Sequence, residues 1–254
     1  MAYLKLRRSQ LILAAFVAFA LFVTAFPAVD IAISGLFFDG QNFLRNQWWQ
    51  RLLQQGLGYF IPLSVLAVTL LYAVNRLLKR NICGVDGRRV LYVVLVLAIG
   101  CGFIVNFGLK DHFHRARPRD VVEFGGAKLF SPAFQVSNQC KTNCSFSSGD
   151  AAGGFFCLAL ALALSRRRAA YIAGLGVGVV MSISRISSGA HFFSDTVTSF
   201  FVMLLVADVL YYYLLVPRPE PQEVAVLVGP LQPAAVIVET NQNLTLTPSW
   251  KDRP

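Results

Sequence analysis

The run VLYVVLVLAIGCGFIVNFGL, residues 90–109, carries no charge over twenty residues and then empties into KDHFHRARP, residues 110–118. About 20 residues of helix cross a hydrocarbon core, so the run reads as a transmembrane helix that delivers a polar cluster to one membrane face. Outward from it lie five more apolar runs: Leu11–Ala28, Leu57–Val74, Gly149–Leu164, Ala169–Ile186 and Thr196–Val216. The fourth in chain order opens on Gly149 and Asp150, which places its start at the interface. The expectation is an all-α, polytopic transmembrane helical bundle of about six helices filling residues 1–216. Composition agrees. The chain is 56% hydrophobic and only 14% charged, with a mean hydropathy of +0.57, whereas soluble domains are about 25% charged. An ordinary soluble domain is excluded.

The first run follows Arg7 and Arg8 but leads to Pro27 and Asp30 rather than to a small-residue cleavage site, so it reads as a retained anchor. The net charge of +10 suggests a nucleic-acid binder only until the charges are placed. Lys5, Arg7 and Arg8 precede the first run. Arg76, Lys79, Arg80, Arg88 and Arg89 separate the second from the third. Arg166, Arg167 and Arg168 separate the fourth from the fifth, and Arg218 follows the sixth. Basic residues on alternate loops put those loops, and both termini, in the cytoplasm. Residues 29–56, 110–150 and about 185–195 then share the external side.

That external side is not neutral. Lys110, Arg115, Arg117, Arg119, Lys128 and Lys141 crowd its middle segment against the orienting rule, which points to an anion bound there. Phe37, Phe38, Trp48 and Trp49 in the first external segment read as interfacial aromatics or a short amphipathic helix. Residues 217–254, broken by Pro217, Pro219, Pro221, Pro230 and Pro233, read as an unstructured cytoplasmic tail. Cys140 and Cys144 lie four apart in a polar external loop. An oxidising compartment permits a disulfide between them, and free thiols remain the other reading because sequence does not give the geometry.

Three clusters fall on the external face. The first is Lys110-Asp111-His112-Phe113-His114-Arg115-Ala116-Arg117-Pro118, the second Ser147-Ser148-Gly149-Asp150, and the third Ser184-Arg185 with His191 and Asp195 following. Ionisable groups at the edge of membrane helices are costly and are functional by default. All three histidines of the chain, His112, His114 and His191, lie in the first and third clusters. Taken singly, a histidine near a helix end or an Arg–Pro pair is commonplace. Together they suit phosphoryl chemistry. His191 and Asp195, four apart where the last helix begins, are expected to share a face, the carboxylate fixing one ring nitrogen so that the other is a free nucleophile. Lys110, Arg117 and Arg185 supply cations for phosphate oxygens. Ser148 and Gly149 open a helix whose free amides favour an anion. Such transfer rests on positioning and charge stabilisation. It requires no metal or other cofactor, and no metal-ligand spacing is present.

The clusters resemble the tripartite signature of the type 2 phosphatidic acid phosphatases: Lys-x6-Arg-Pro, Pro-Ser-Gly-His and Ser-Arg-x5-His-x3-Asp. The first and third match at every defined position, and the resemblance covers about residues 90–216. It implies a helical-bundle enzyme that forms a phosphohistidine on His191 and hydrolyses it. The second cluster departs, with Ser147 for proline and Asp150 for the histidine that protonates the leaving oxygen. Asp150 is the candidate general acid, with His114 or His112 as alternatives. The stretch from Phe107 to Phe155, with Phe124-Gly125-Gly126, Gln139-Cys140 and Asn143-Cys144-Ser145-Phe146, is similar to the lipid A 4′-phosphatase branch. That branch implies a phosphorylated-lipid substrate and an inner-membrane protein with its site facing the periplasm. Lipid A 1-phosphate, undecaprenyl diphosphate and phosphatidylglycerol phosphate are the alternative substrates. A transporter or binding protein that holds an anion without turnover is the alternative outside enzymes.

Overall fold

The computed structural model describes residues 2–217 apart from 46 and 166. The proline-broken tail read from the sequence lies outside the described residues. Among them the chain is helical, with no β-strand: α1 (Ala2–Ala25), α2 (Ala28–Gly35), α3 (Trp48–Leu77), α4 (Gly87–Leu95) continued by a wider π-helical stretch (Val96–Lys110), α5 (Asp111–Phe113), α6 (Gly149–Leu164), α7 (Arg168–Ser187) and α8 (Phe193–Leu215). Five of these segments, α1, α3, α4 with its continuation, α7 and α8, are long and apolar enough to cross a membrane. The helix α6 is apolar but only 16 residues long.

Two boundaries differ from the sequence expectation. The first helix stops at Ala25 instead of Ala28. Pro27 has no N–H to donate to the preceding turn, and the chain restarts behind it as α2. The second span starts at Trp48 rather than Leu57, so Trp48 and Trp49 form the first turn of a span instead of a separate surface element. Gln50, Arg51 and Gln54 lower the hydropathy of those turns without breaking the helix, which is why an apolar-run reading begins too late.

The helix α6 sits in the centre. It packs on α7, α8, α3 and the π-helical stretch, and Ala151, Ala152, Phe156, Leu158 and Ala159 are all but inaccessible. Small residues allow the closest of these contacts. A Cβ on Gly174 would lie 2.7 Å from the Cys157 carbonyl oxygen, and one on Gly178 would enter the Phe155 ring, the close approach that membrane helix pairs favour. Outer faces carry exposed Leu21, Leu63, Phe103 and Ile172, as expected where the neighbour is lipid.

The helices α1 and α8 run antiparallel. Arg8 Nε pairs with Asp208 Oδ1 at 2.9 Å near the end of α8, and Ser9 Oγ donates to Asp208 Oδ2 at 2.6 Å. At the opposite end Asp30, on α2, reaches the start of α8. That same end gathers the start of α3, the end of the π-helical stretch, the start of α6 and the end of α7, because Gln50 donates to Ser187 and Gln54 to Asp150. The three polar clusters of the sequence therefore meet at one end of the bundle.

Candidate active site

The turn from α7 into α8 presents His191. Gly189 takes a left-handed φ of +61°, and a Cβ there would lie 2.5 Å from the Phe43 ring, so both conformation and space require glycine. The Arg185 carbonyl accepts the amides of Ala190 at 3.1 Å and His191 at 3.3 Å, closing the turn. The ring of His191 is 2% exposed. Its Nδ1 lies 2.7 Å from the Ser145 carbonyl oxygen. A carbonyl only accepts, so Nδ1 carries the proton and Nε2 keeps its lone pair. Burial pushes the pKa of His191 down, Asp195 pulls the other way, and the positive charges of Arg117 and Arg185 add to the depression.

Here the structure corrects the sequence expectation. Asp195 does not make the near contact with the imidazole, since its Oδ2 is 3.7 Å from Nδ1. His191 precedes the first residue of α8, so the four-residue spacing does not place the two side chains on one helical face. Asp195 stands one step behind. It accepts the Ser145 hydroxyl at 2.5 Å and the Phe192 amide at 2.8 Å, the second being a carboxylate satisfying a free donor at a helix start. Ser145 thus connects them, its carbonyl on the ring and its hydroxyl on the carboxylate.

Asp195 is held by Arg115, which the sequence reading counted among the external cations gathered for an anion but which is spent on buried carboxylates. Arg115 is 1% exposed. Its Nη1 meets Asp195 Oδ1 at 2.5 Å and Ser194 Oγ at 2.9 Å, its Nη2 meets Asp30 Oδ2 at 2.8 Å, and its Nε donates to the Ser131 carbonyl at 2.8 Å. The guanidinium centre lies 4.3 Å from the Phe192 ring centroid, a cation–π contact. Asp30 completes the group by accepting the Ser194 amide at 2.8 Å and the Ser194 hydroxyl at 2.5 Å. The sequence carried one signal for this: Asp30 is a lone acid at the edge of a long apolar stretch, which calls for a partner.

Lys110, Arg117, Asp150 and Arg185 are brought within Coulombic range of one another, and His191 within range of Arg117 and Arg185. Arg117 donates from Nε at 3.1 Å and from Nη2 at 2.7 Å to the Asn143 carbonyl. Asn143 lies in the loop closed by a Cys140–Cys144 disulfide with Cα atoms 5.6 Å apart. One short loop therefore positions both Arg117 and the ring of His191. Arg185 Nε lies 3.1 Å from Asp150 Oδ2, which also accepts Gln54 Nε2 at 3.2 Å. Ser148 is fully buried and caps α6, its hydroxyl accepting the Ala151 amide at 3.3 Å. The amides of Gly149 and Asp150, in the first turn, have no intrahelical acceptor. A Cβ on Gly149 would lie 2.8 Å from Asn106 Oδ1, so the helix start is tightly packed there. The other histidines are turned elsewhere: His114 Nδ1 lies 3.0 Å from the Cys140 carbonyl oxygen, and His112 Nδ1 2.9 Å from that of Phe107.

An imidazole with one nitrogen tied down, two arginines within Coulombic range and a helix start at the same end of the bundle suit a phosphoryl group. Known proteins agree. The PAP2 superfamily pattern matches residues 90–218. The lipid A 4′-phosphatase of Francisella tularensis subsp. novicida is 32% identical over 190 residues, 70% of this chain and 82% of that protein. The lipid A 4′-phosphatase of Rhizobium leguminosarum is 39% identical over 112 residues, 43% of this chain and 48% of that protein. The crystal structure of a transmembrane PAP2-type phosphatidylglycerolphosphate phosphatase from Bacillus subtilis superposes with a TM-score of 0.50 at 17% identity, covering 81% of this chain and 94% of that one. With the family pattern, the long relative and the helical bundle in agreement, the chain belongs to the PAP2 superfamily.

Proposed function

We propose that this membrane lipid phosphatase removes the 4′-phosphate of lipid A at the periplasmic face of the inner membrane, through a phosphohistidine on His191. In this reading the bundle crosses the membrane six times with both termini in the cytoplasm. The observation that carries it is the tautomer of His191. The Ser145 carbonyl holds the Nδ1 proton, so Nε2 attacks phosphorus while Lys110, Arg117, Arg185 and the first amides of α6 hold the non-bridging oxygens. The P–O bond to the sugar breaks as the N–P bond forms, and the leaving oxygen takes a proton. Water then attacks the phosphohistidine, returning the lone pair to Nε2 and releasing inorganic phosphate.

A lipid substrate is supported by an apolar groove of about 520 Å³ lined by Leu52, Leu53, Leu57 and Phe60 of α3 and by Val177 and Met181 of α7. Its Leu52 and Leu53 lie between Arg51 and Gln54 on α3, and Gln54 donates to Asp150, so an acyl chain in the groove would run from a headgroup at the site. The direct test is the mass spectrum of lipid A from cells with and without the protein. Loss of one phosphate from the 4′ position is expected, and an unchanged spectrum sinks the reading.

Asp150 is the proposed leaving-group acid. It is ion-paired to Arg185 before substrate arrives. A bound phosphate competes for Arg185 and frees the Asp150 carboxylate from that pairing. Asp150→Asn is expected to lower kcat for the lipid by about 10²–10⁴-fold. It should barely affect p-nitrophenyl phosphate, whose leaving group needs no proton. Equal losses on both substrates would make Asp150 only a support for Arg185.

The pH dependence follows from the buried ring. The attacking species is neutral imidazole, and burial lowers the pKa of His191, so protonation removes the nucleophile only below the ordinary histidine value. The acid limb of kcat/KM is expected below about pH 6.5. A limb above that value contradicts a desolvated nucleophile.

A further inference from the structure

The Cys140–Cys144 disulfide takes no part in the chemistry above, yet it closes a loop that touches the site. Residues 140–144 lie in a long segment without helix or strand, between Phe124 and Gly149. Among the described residues, no backbone N–H or C=O of residues 138–144 pairs with another backbone group. The flanking chain is tied down: the Ser137 amide donates to the Phe113 carbonyl and the Ser145 amide to the Arg115 carbonyl, both at 2.9 Å. Ordering a backbone costs conformational entropy, and no ladder offsets that cost in this stretch. A cross-link offsets it by removing alternative conformers. Asn143, inside the link, stands at a left-handed φ of +51°, which a non-glycine residue holds only where its surroundings impose it.

What the loop offers the site is a carbonyl. The Asn143 oxygen accepts Arg117 Nε at 3.1 Å and Nη2 at 2.7 Å. Among the described residues no carboxylate lies within ion-pair distance of Arg117, and the like charges of Arg119 and Arg185 are within Coulombic range. A cation repelled by its neighbours keeps one position only if something fixed holds it. Here that is the Asn143 carbonyl, and the N–H groups it does not engage remain for phosphate oxygens. Ser145, just past the link, has anchors of its own in the Arg115 carbonyl and Asp195. The tautomer of His191 therefore survives when the link opens, and the aim of Arg117 does not.

We propose that Cys140 and Cys144 are positioning residues whose disulfide holds the Asn143 carbonyl that aims Arg117, so that full phosphatase activity requires the closed link. The inference deepens the functional reading, as regulation of the same site, and rests on it for Arg117 as a phosphate-binding cation. An oxidising compartment keeps such a link closed. Opening it takes two electrons and two protons: the S–S bond breaks, each sulfur gains a hydrogen, and a dithiol such as dithiothreitol is oxidised to its cyclic disulfide.

The test uses full-length protein in detergent with p-nitrophenyl phosphate, so the outcome does not depend on which lipid is the natural substrate. Oxidised protein, dithiothreitol-reduced protein and the Cys140→Ser/Cys144→Ser variant are compared, with the state of the sulfurs read by alkylation and mass. Opening the link by either route is expected to lower kcat/KM about tenfold to a hundredfold. Glutathione disulfide, itself reduced to two glutathione molecules, should restore the reduced protein and leave the serine variant unchanged. The deciding measurement is additivity. In an Arg117→Ala background, opening the link should lower kcat/KM by less than about twofold, because the cation it aims is gone. A loss of equal size in both backgrounds would mean general loosening of the loop and overturns the proposal, as does full activity of the serine variant. Failure of the functional reading looks different: the oxidised, unsubstituted protein would itself release no phosphate, and the proposal would fall with it.

Discussion

His191→Ala is expected to lower kcat/KM for the lipid substrate by about 10⁴-fold or more, with no comparable loss of stability. The two effects separate because the ring contributes one hydrogen bond to the fold, from Nδ1 to the Ser145 carbonyl. Removing it leaves one buried acceptor unpaired, a cost of about 1–3 kcal/mol, whereas the chemistry loses the lone pair it depends on. No substitute stands nearby, since His112 and His114 are turned to other carbonyls. The measurements are steady-state release of phosphate, unfolding in detergent and acid-quenched labelling with ³²P-substrate. Labelled protein should appear with the histidine present and vanish in the variant. Activity of His191→Ala within tenfold of the unsubstituted protein would falsify the assignment.

The second large effect falls on stability. Arg115→Met is expected to destabilise the protein by about 3–5 kcal/mol. This side chain is ion-paired with Asp30 and Asp195 at once, and both carboxylates are almost fully buried. Methionine keeps much of the volume, so the loss is electrostatic: two buried charges face each other with their shared cation gone. Activity should fall with it, because Asp195 fixes Ser145 and Ser145 fixes the nucleophile. Arg115→Lys should recover only part, since an ammonium cannot present the planar fork that spans Asp30, Ser194, Asp195 and the Ser131 carbonyl. The triple variant Arg115→Met with Asp30→Asn and Asp195→Asn should regain stability over the single one while staying poorly active. An unfolding midpoint for Arg115→Met indistinguishable from that of the unsubstituted protein would show that the buried triad does not hold the fold.

The apolar runs determined the helices, because a chain in hydrocarbon must satisfy its backbone internally and helices do so one segment at a time. Residues 149–164, 168–187 and 193–215 form helices within a few residues of the runs that announced them. The site was legible for a similar reason. Cations and histidines are so costly at a membrane edge that their presence in the first and third clusters already singles out one end of the bundle as the candidate site.

What sequence spacing did not contain was the partner of each side chain. The interval from His191 to Asp195 suggests a direct contact, yet the helix begins between them and the chain inserts Ser145, from 46 residues earlier, as the intermediary. Arg115 resembles its neighbour Arg117 in sequence, but one is buried between two carboxylates while the other is held by the Asn143 carbonyl beside the site. Periodicity and hydropathy are local properties of a chain, so they fix helices and membrane faces. Charge pairing and tautomers depend on segments far apart in sequence, and only the packed bundle decides those.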